Sequence, residues 1–112
     1  MKVTGTDGKE YKIEPDANLR AANLTSADFR GADLSGADLG GVDLEYDNLS
    51  EANLMDTYLR SANLSEADLT DTNLSGANLS EADLRDANLS GAVWNDETVF
   101  PEGFEIPEKS ET

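Results

Sequence analysis

Ala62-Asn63-Leu64-Ser65-Glu66-Ala67-Asp68-Leu69-Thr70-Asp71-Thr72-Asn73-Leu74-Ser75-Gly76-Ala77-Asn78-Leu79-Ser80-Glu81 is the stretch that decides how this chain folds. Leucine stands at every fifth place, a small residue stands two places before it, and Asn or Asp lies between them. Outward from this stretch the same unit runs through sixteen consecutive copies, from Leu19 to Trp94, with Phe29 and Trp94 in leucine places. The small place is alanine except at Val42, Asp47, Thr57 and Thr72, and the middle place is Asn or Asp except at Tyr58 and Val93.

A period of five suits neither regular structure. On a helix, successive leucines fall about 140° apart, so no apolar stripe forms. On a straight strand, an odd step sends them to opposite faces. One path satisfies the pattern. Residues two apart on a short extended piece share a face, so the small residue and the leucine both point inward, and the Asn or Asp between them points out. The remaining two residues turn the chain, and pairs such as Ser35-Gly36, Gly40-Gly41 and Ser75-Gly76 suit tight turns. Four corners close a square, so one lap takes twenty residues and puts residue n beside residue n+20.

The expected fold is thus an all-β solenoid, a quadrilateral parallel β-helix of about four coils over residues 17–96, roughly 19 Å tall at about 4.8 Å per coil. Parallel crossovers are overwhelmingly right-handed, so a right-handed coil is expected. Both ends expose core and need covering. In residues 1–16, Asp7-Gly8 between Val3-Thr4 and Tyr11-Lys12-Ile13 reads as an N-terminal hairpin-like cap. Residues 97–112 read as a C-terminal aromatic cap, with Val99, Phe100 and Phe104 as a lid after Trp94, and a frayed tail from residue 105.

The unit Ala-(Asn/Asp)-Leu-x-x resembles that of the pentapeptide-repeat proteins, and the resemblance covers residues 17–96. The run Thr98-Val99-Phe100-Pro101-Glu102-Gly103-Phe104 is similar to the tail that follows the repeats in many cyanobacterial members. The resemblance implies a right-handed quadrilateral β-helix and a source in a cyanobacterium or one of its phages. It implies little about function. Some members resemble duplex DNA in shape and charge and bind DNA gyrase.

Composition narrows the chemistry. The 112 residues hold no cysteine and no histidine, which removes thiolate and imidazole metal ligands and the commonest general base. Serines abound, but no histidine activates one. Gly40-Gly41 is a corner, not a phosphate loop. A smooth convex rod has no cleft that excludes water. We therefore expect no enzyme, no cofactor and no metal. No apolar run approaches a membrane span or a secretion signal, so a soluble cytoplasmic protein, monomeric or weakly dimeric, is expected.

The net charge of −16 opposes direct binding to nucleic acid or anionic membranes and favours a protein partner of basic character. Stacking gathers Asp43, Glu45, Glu66, Asp83 and Asp86 on one face, and Asp28, Glu51, Asp68 and Asp71 on the next; Arg20 and Arg60 share another. The plain reading is a solvated surface; the sharper one is a docking face for an unknown protein. The candidate partner-binding surface is Asp43, Glu45, Tyr46, Asp47, Tyr58, Glu66, Asp83 and Asp86. Asp47 is the anomaly, because it occupies an inward place where a charge is costly. Either a local bulge tips it outward, or it bonds backbone N–H groups at a corner, or it belongs to a site with Tyr46 and Tyr58. The alternative function is DNA mimicry directed at gyrase or another DNA-binding protein. Residues 17–96 hold fifteen acidic and four basic residues, a net of −11. Spread over the expected height, that is about one charge per 1.7 Å, the density of duplex DNA.

Overall fold

The computed structural model describes residues 1–107. From Asn18 onward the backbone pairs with itself at a constant interval. Asn18 bridges Asp38, Asp38 bridges Tyr58, and Tyr58 bridges Asn78, all in parallel, and the same twenty-residue step joins the other three sides up to Asn73 and Val93. Two hydrogen bonds make each rung: Leu39 N–H donates to Tyr58 O at 2.7 Å, and Tyr58 N–H to Ala37 O at 3.0 Å. The bridges stay isolated, because each side is only three residues long before a corner interrupts it. The structure is therefore a stack of short rungs, with little continuous strand.

The corners share one geometry. One residue in each corner has a positive φ, at Asp16 on entry (61°) and then two places after each leucine and Phe29, up to Gly91 at 73°. The following small residue donates its N–H back to the leucine carbonyl, as Ala62 does to Leu59 at 3.0 Å. One positive φ at the third turn residue, closed by this bond, is the type II pattern. Eleven of these left-handed residues are not glycine, Tyr46, Glu81 and Ala21 among them. The outward Asn or Asp supports the turn that follows, its side-chain oxygen accepting the N–H two residues on, as Asn73 Oδ1 does from Ser75 N at 3.0 Å. This explains the residue choice in the middle place: an Asx turn pre-forms the corner.

Inside, the leucines of the central laps are sealed from solvent, and Phe29 occupies its leucine place with 0 % exposure. The two polar threonines in small places each donate to a backbone carbonyl, Thr57 within its own turn and Thr72 to the lap below. Thr57 donates its hydroxyl to Leu54 O at 2.8 Å, and Thr72 donates to Leu49 O at 2.9 Å. Burial is tolerated because each donor is satisfied.

At the N-terminus, β1 (Lys2–Thr4) pairs antiparallel with β2 (Glu10–Lys12), Val3 opposite Tyr11. Gly8 takes φ 81°, and Asp7 accepts from Lys9 N at 2.9 Å and from the Tyr11 hydroxyl at 2.8 Å. Thr6 N–H bonds Asn23 O at 3.1 Å, Ile13 is buried, and Val3 and Tyr11 pack on the core.

At the other end the register changes. Asn78 bridges Val99, a step of one residue more than elsewhere, because Asn95, Asp96 and Glu97 form a longer corner. Thr98, Val99 and Phe100 thus repeat the small–outward–inward order. Thr98 donates its hydroxyl to Leu74 O at 2.9 Å, and Val99 extends the ladder and stays exposed. Val99 is therefore a rung residue and not part of a lid. Phe100 meets Trp94 edge-on and stacks on Phe104, both at 5.6 Å between ring centres. From residue 108 on, the tail read as frayed lies outside the described residues.

Candidate functional site

The twenty-residue step fixes which side chains share a surface. One side carries Asn23, Asp43, Asn63 and Asp83 in its middle column, with Glu45 and Arg85 beside it. The corner that ends this side carries Tyr46, Glu66 and Asp86, all with left-handed backbones. So Asp43, Glu45, Tyr46, Glu66, Asp83 and Asp86 do come together.

Their surroundings differ. Asp43 Oδ1 accepts Glu45 N–H at 3.1 Å, so this carboxylate is partly committed to its own turn. Asp83 is more fully engaged. Arg85 donates from Nε at 3.0 Å and from Nη2 at 2.7 Å, and its backbone N–H donates at 3.1 Å. The guanidinium first, and then the backbone bond, hold the Asp83 carboxyl below its ordinary range. Tyr46 is more than half exposed, and the facing Glu66 carboxylate, with the charge of Glu45 adding, raises its phenol above its usual value. Arg85 went unassigned in the sequence reading of this face, although its Asp-x-Arg spacing from Asp83 is the signal for such a pair.

Two members of the predicted set do not belong to this surface. Asp47 is 1 % exposed and points into the coil. No bulge tips it out, since Asp47 N–H makes the usual corner bond to Leu44 O at 3.1 Å and Asn48 keeps its bridges to Asp28 and Asp68. Its Oδ1 accepts the backbone N–H of Ala27 at 2.8 Å, and among the described residues its buried Oδ2 has no partner. Burial pushes its carboxyl up to about 7; the bond from Ala27 opposes this and the charge of Asp43 adds to it. Tyr58 lies in the column of Asp38 and Asn78, on the preceding side, so a full side separates it from Tyr46. It borders a notch of about 290 Å³ with Arg20, Gly40 and Arg60. Gly40 gives these side chains room, since a Cβ there would sit 2.9 Å from Arg20 Nη1 and 3.1 Å from the Tyr58 ring. Arg20 pairs with Asp38 at 3.6 Å and Arg60 with Glu81 at 3.1 Å.

Among the described residues no three acidic side chains converge as a metal site would require, and no helix is long and apolar enough to cross a membrane.

The family model for pentapeptide repeats matches residues 16–46 and 52–91, breaking off around Asp47. The chain belongs to the pentapeptide-repeat family. It is similar to a solved pentapeptide-repeat protein of Nostoc PCC 7120, alr5209, at 40% identity over 79% of this chain and 77% of that one, with a TM-score of 0.65. Weaker likenesses are to HetL of the same cyanobacterium, involved in heterocyst differentiation regulation (29% identity, 80% of this chain and 47% of that one, TM-score 0.43), and to a thylakoid-lumen member from Arabidopsis thaliana (31% identity, 75% and 70%, TM-score 0.41). No curated protein matches. In this pentapeptide-repeat protein, then, the repeat accounts for the stack, and the residues that depart from it individualise the surface.

Proposed function

We propose that this pentapeptide-repeat protein is a non-catalytic, rigid acidic scaffold for protein–protein interaction, working in the cytoplasm as a monomer or weak dimer. The scaffold is a right-handed coil of about four laps over residues 17–96, closed by the β1–β2 hairpin at one end and by Trp94, Phe100 and Phe104 at the other. The docking surface for a basic partner is the side and corner carrying Asp43, Glu45, Tyr46, Glu66, Asp83 and Asp86. The observation that carries this reading is the gathering of five carboxylates and one exposed tyrosine against a single arginine, on rungs held by backbone hydrogen bonds. A pre-formed surface loses little entropy on binding, and like-signed charge steers a basic partner.

The test compares the chain with a triple variant, Asp43→Asn with Glu45→Gln and Glu66→Gln, as baits in host extract. Asn keeps the acceptor that Glu45 N–H needs, so the corner survives. A protein held by the native chain, released by salt and lost with the variant supports the reading. Equal retention by both baits contradicts it.

The second reading, mimicry of duplex DNA toward gyrase or another DNA-binding protein, is favoured by the charge of −11 across the repeats. Unchanged gyrase supercoiling at large excess of this protein removes gyrase as the target.

A further inference from the structure

The ladder joining successive laps ends unevenly at the C-terminal end. Above Ala77–Leu79 it continues, Val99 N–H donating to Ala77 O at 2.9 Å and Leu79 N–H to Val99 O at 2.7 Å. Beyond Phe100 the chain turns back on itself, Phe104 N–H donating to Pro101 O at 3.1 Å, and among the described residues no backbone group pairs with Leu84 N–H or Ala82 O. Over the side Ala87–Leu89, no backbone group among the described residues pairs with Leu89 N–H or Ala87 O. One lap earlier the equivalent groups are both used: Leu69 N–H donates to Asn88 O at 2.8 Å, and Asn88 N–H to Ala67 O at 3.0 Å. Beside this bare edge lies a cavity of about 440 Å³ lined by Leu84, Leu89, Trp94 and Phe104, with Asp86 and Glu105 contributing carboxylates. Leu84 and Leu89 are 6 % and 8 % exposed, where the leucines of the central laps are sealed.

We propose that this end is a second binding site, adjoining the acidic side face at Asp86, for an extended basic peptide segment of another protein. One peptide residue takes the place above Asn88, its N–H donating to Ala87 O and its carbonyl accepting from Leu89 N–H. A neighbouring apolar side chain enters the hollow between Leu89, Trp94 and Phe104. Lysines or arginines on the segment meet Asp86 and Glu105. An unpaired edge is a template for an added strand, and alternate side chains then supply specificity. Charge selects the occupant: a second copy of this chain carries the same −16 and is repelled, whereas a basic segment is drawn in.

Trp94 is the single tryptophan and lines the cavity, so its fluorescence reports occupancy. The experiment titrates the full chain with the capped peptide Lys-Val-Lys-Leu-Lys. The expected result is a saturable change that weakens at high salt. Methylating the backbone nitrogen of the central lysine removes the donor to Ala87 O and lowers affinity about tenfold or more. Glu105→Gln, an exposed substitution outside the side face, weakens binding several-fold. No saturable change, or equal affinity for the methylated peptide, overturns the proposal, as does a dimer in sedimentation that the peptide fails to dissociate.

Discussion

Asp47 reaches back one lap and accepts the backbone N–H of Ala27 at 2.8 Å, a bond that elsewhere stays within the turn. From Ala22 to Ala92 the small residue donates to the carbonyl three places before it, and Ala27 is the exception. Asp47 thus withdraws a donor from the turn below, and its second oxygen is left buried without a partner among the described residues. Asp47→Ala restores the repeat's own residue and lets Ala27 N–H return to Leu24 O. It should stabilise the fold by roughly 2–4 kcal/mol above neutral pH, read as a higher melting temperature. A lower melting temperature would mean that the carboxylate holds something in place.

The same carboxyl predicts a pH dependence of definite sign. Its folded value, about 7, lies above the ordinary value of 3.8, so folding binds a proton there. Its cost is absent below the unfolded value, grows as pH rises between the two, and is complete above about 7. Asp47→Asn should therefore stabilise more at about pH 8 than at about pH 5, by on the order of 3 kcal/mol. Equal stabilisation at both pH values would contradict the burial of a titrating group. Asp33, Asp68 and Asp83 act in the opposite sense. Their hydrogen bonds hold them below the ordinary range, and the stability they contribute is lost as pH falls through those lowered values.

The corners make a cleaner prediction, because space is not at issue. Gly31 has φ 71° with nothing within 4 Å of where a Cβ would stand, so Gly31→Ala tests conformation alone. It should cost about 1 kcal/mol in a denaturant titration. Ala21→Gly, at φ 60°, should be neutral or slightly stabilising.

The core leucines should respond as close-packed residues do. Leu59 is fully buried, and Leu59→Ala should cost about 2–5 kcal/mol through lost burial and the cavity left behind. A cost under 1 kcal/mol would show that the laps do not pack side chain on side chain.

The twenty-residue step was legible because its cause is local: a period of five excludes helix and flat strand, and the small–outward–inward order leaves only a cornered path. What Asn and Asp do in the middle place was not legible. Their outward direction follows from the period, but their bond to the N–H two residues on is a matter of turn geometry. Left-handed corners at Tyr46 and Glu81 run against residue preference and are imposed by the stack. The side carrying Asp43, Glu45, Glu66, Asp83 and Asp86 was legible as a set of neighbours from the twenty-residue step; the inward place of Asp47 was legible too, but whether the backbone would bulge to tip its charge outward was not. Tyr58 was placed in one candidate site with Tyr46 and Asp47, and a full side parts it from Tyr46. The one-residue register change before Thr98 was missed because Asn95, Asp96 and Glu97 look like any polar corner.

The most direct test of the stack uses the absence of cysteine from the chain. Asn53 and Asn73 are bridged partners one lap apart, whereas Asn53 and Asn63 lie on opposite sides. Under mild oxidation, Asn53→Cys with Asn73→Cys should form an intramolecular disulfide rapidly and nearly completely, since paired parallel residues lie within the span such a bond needs. Asn53→Cys with Asn63→Cys should keep both thiols free while the protein remains folded. Free thiols in the first pair and a bond in the second would contradict the account.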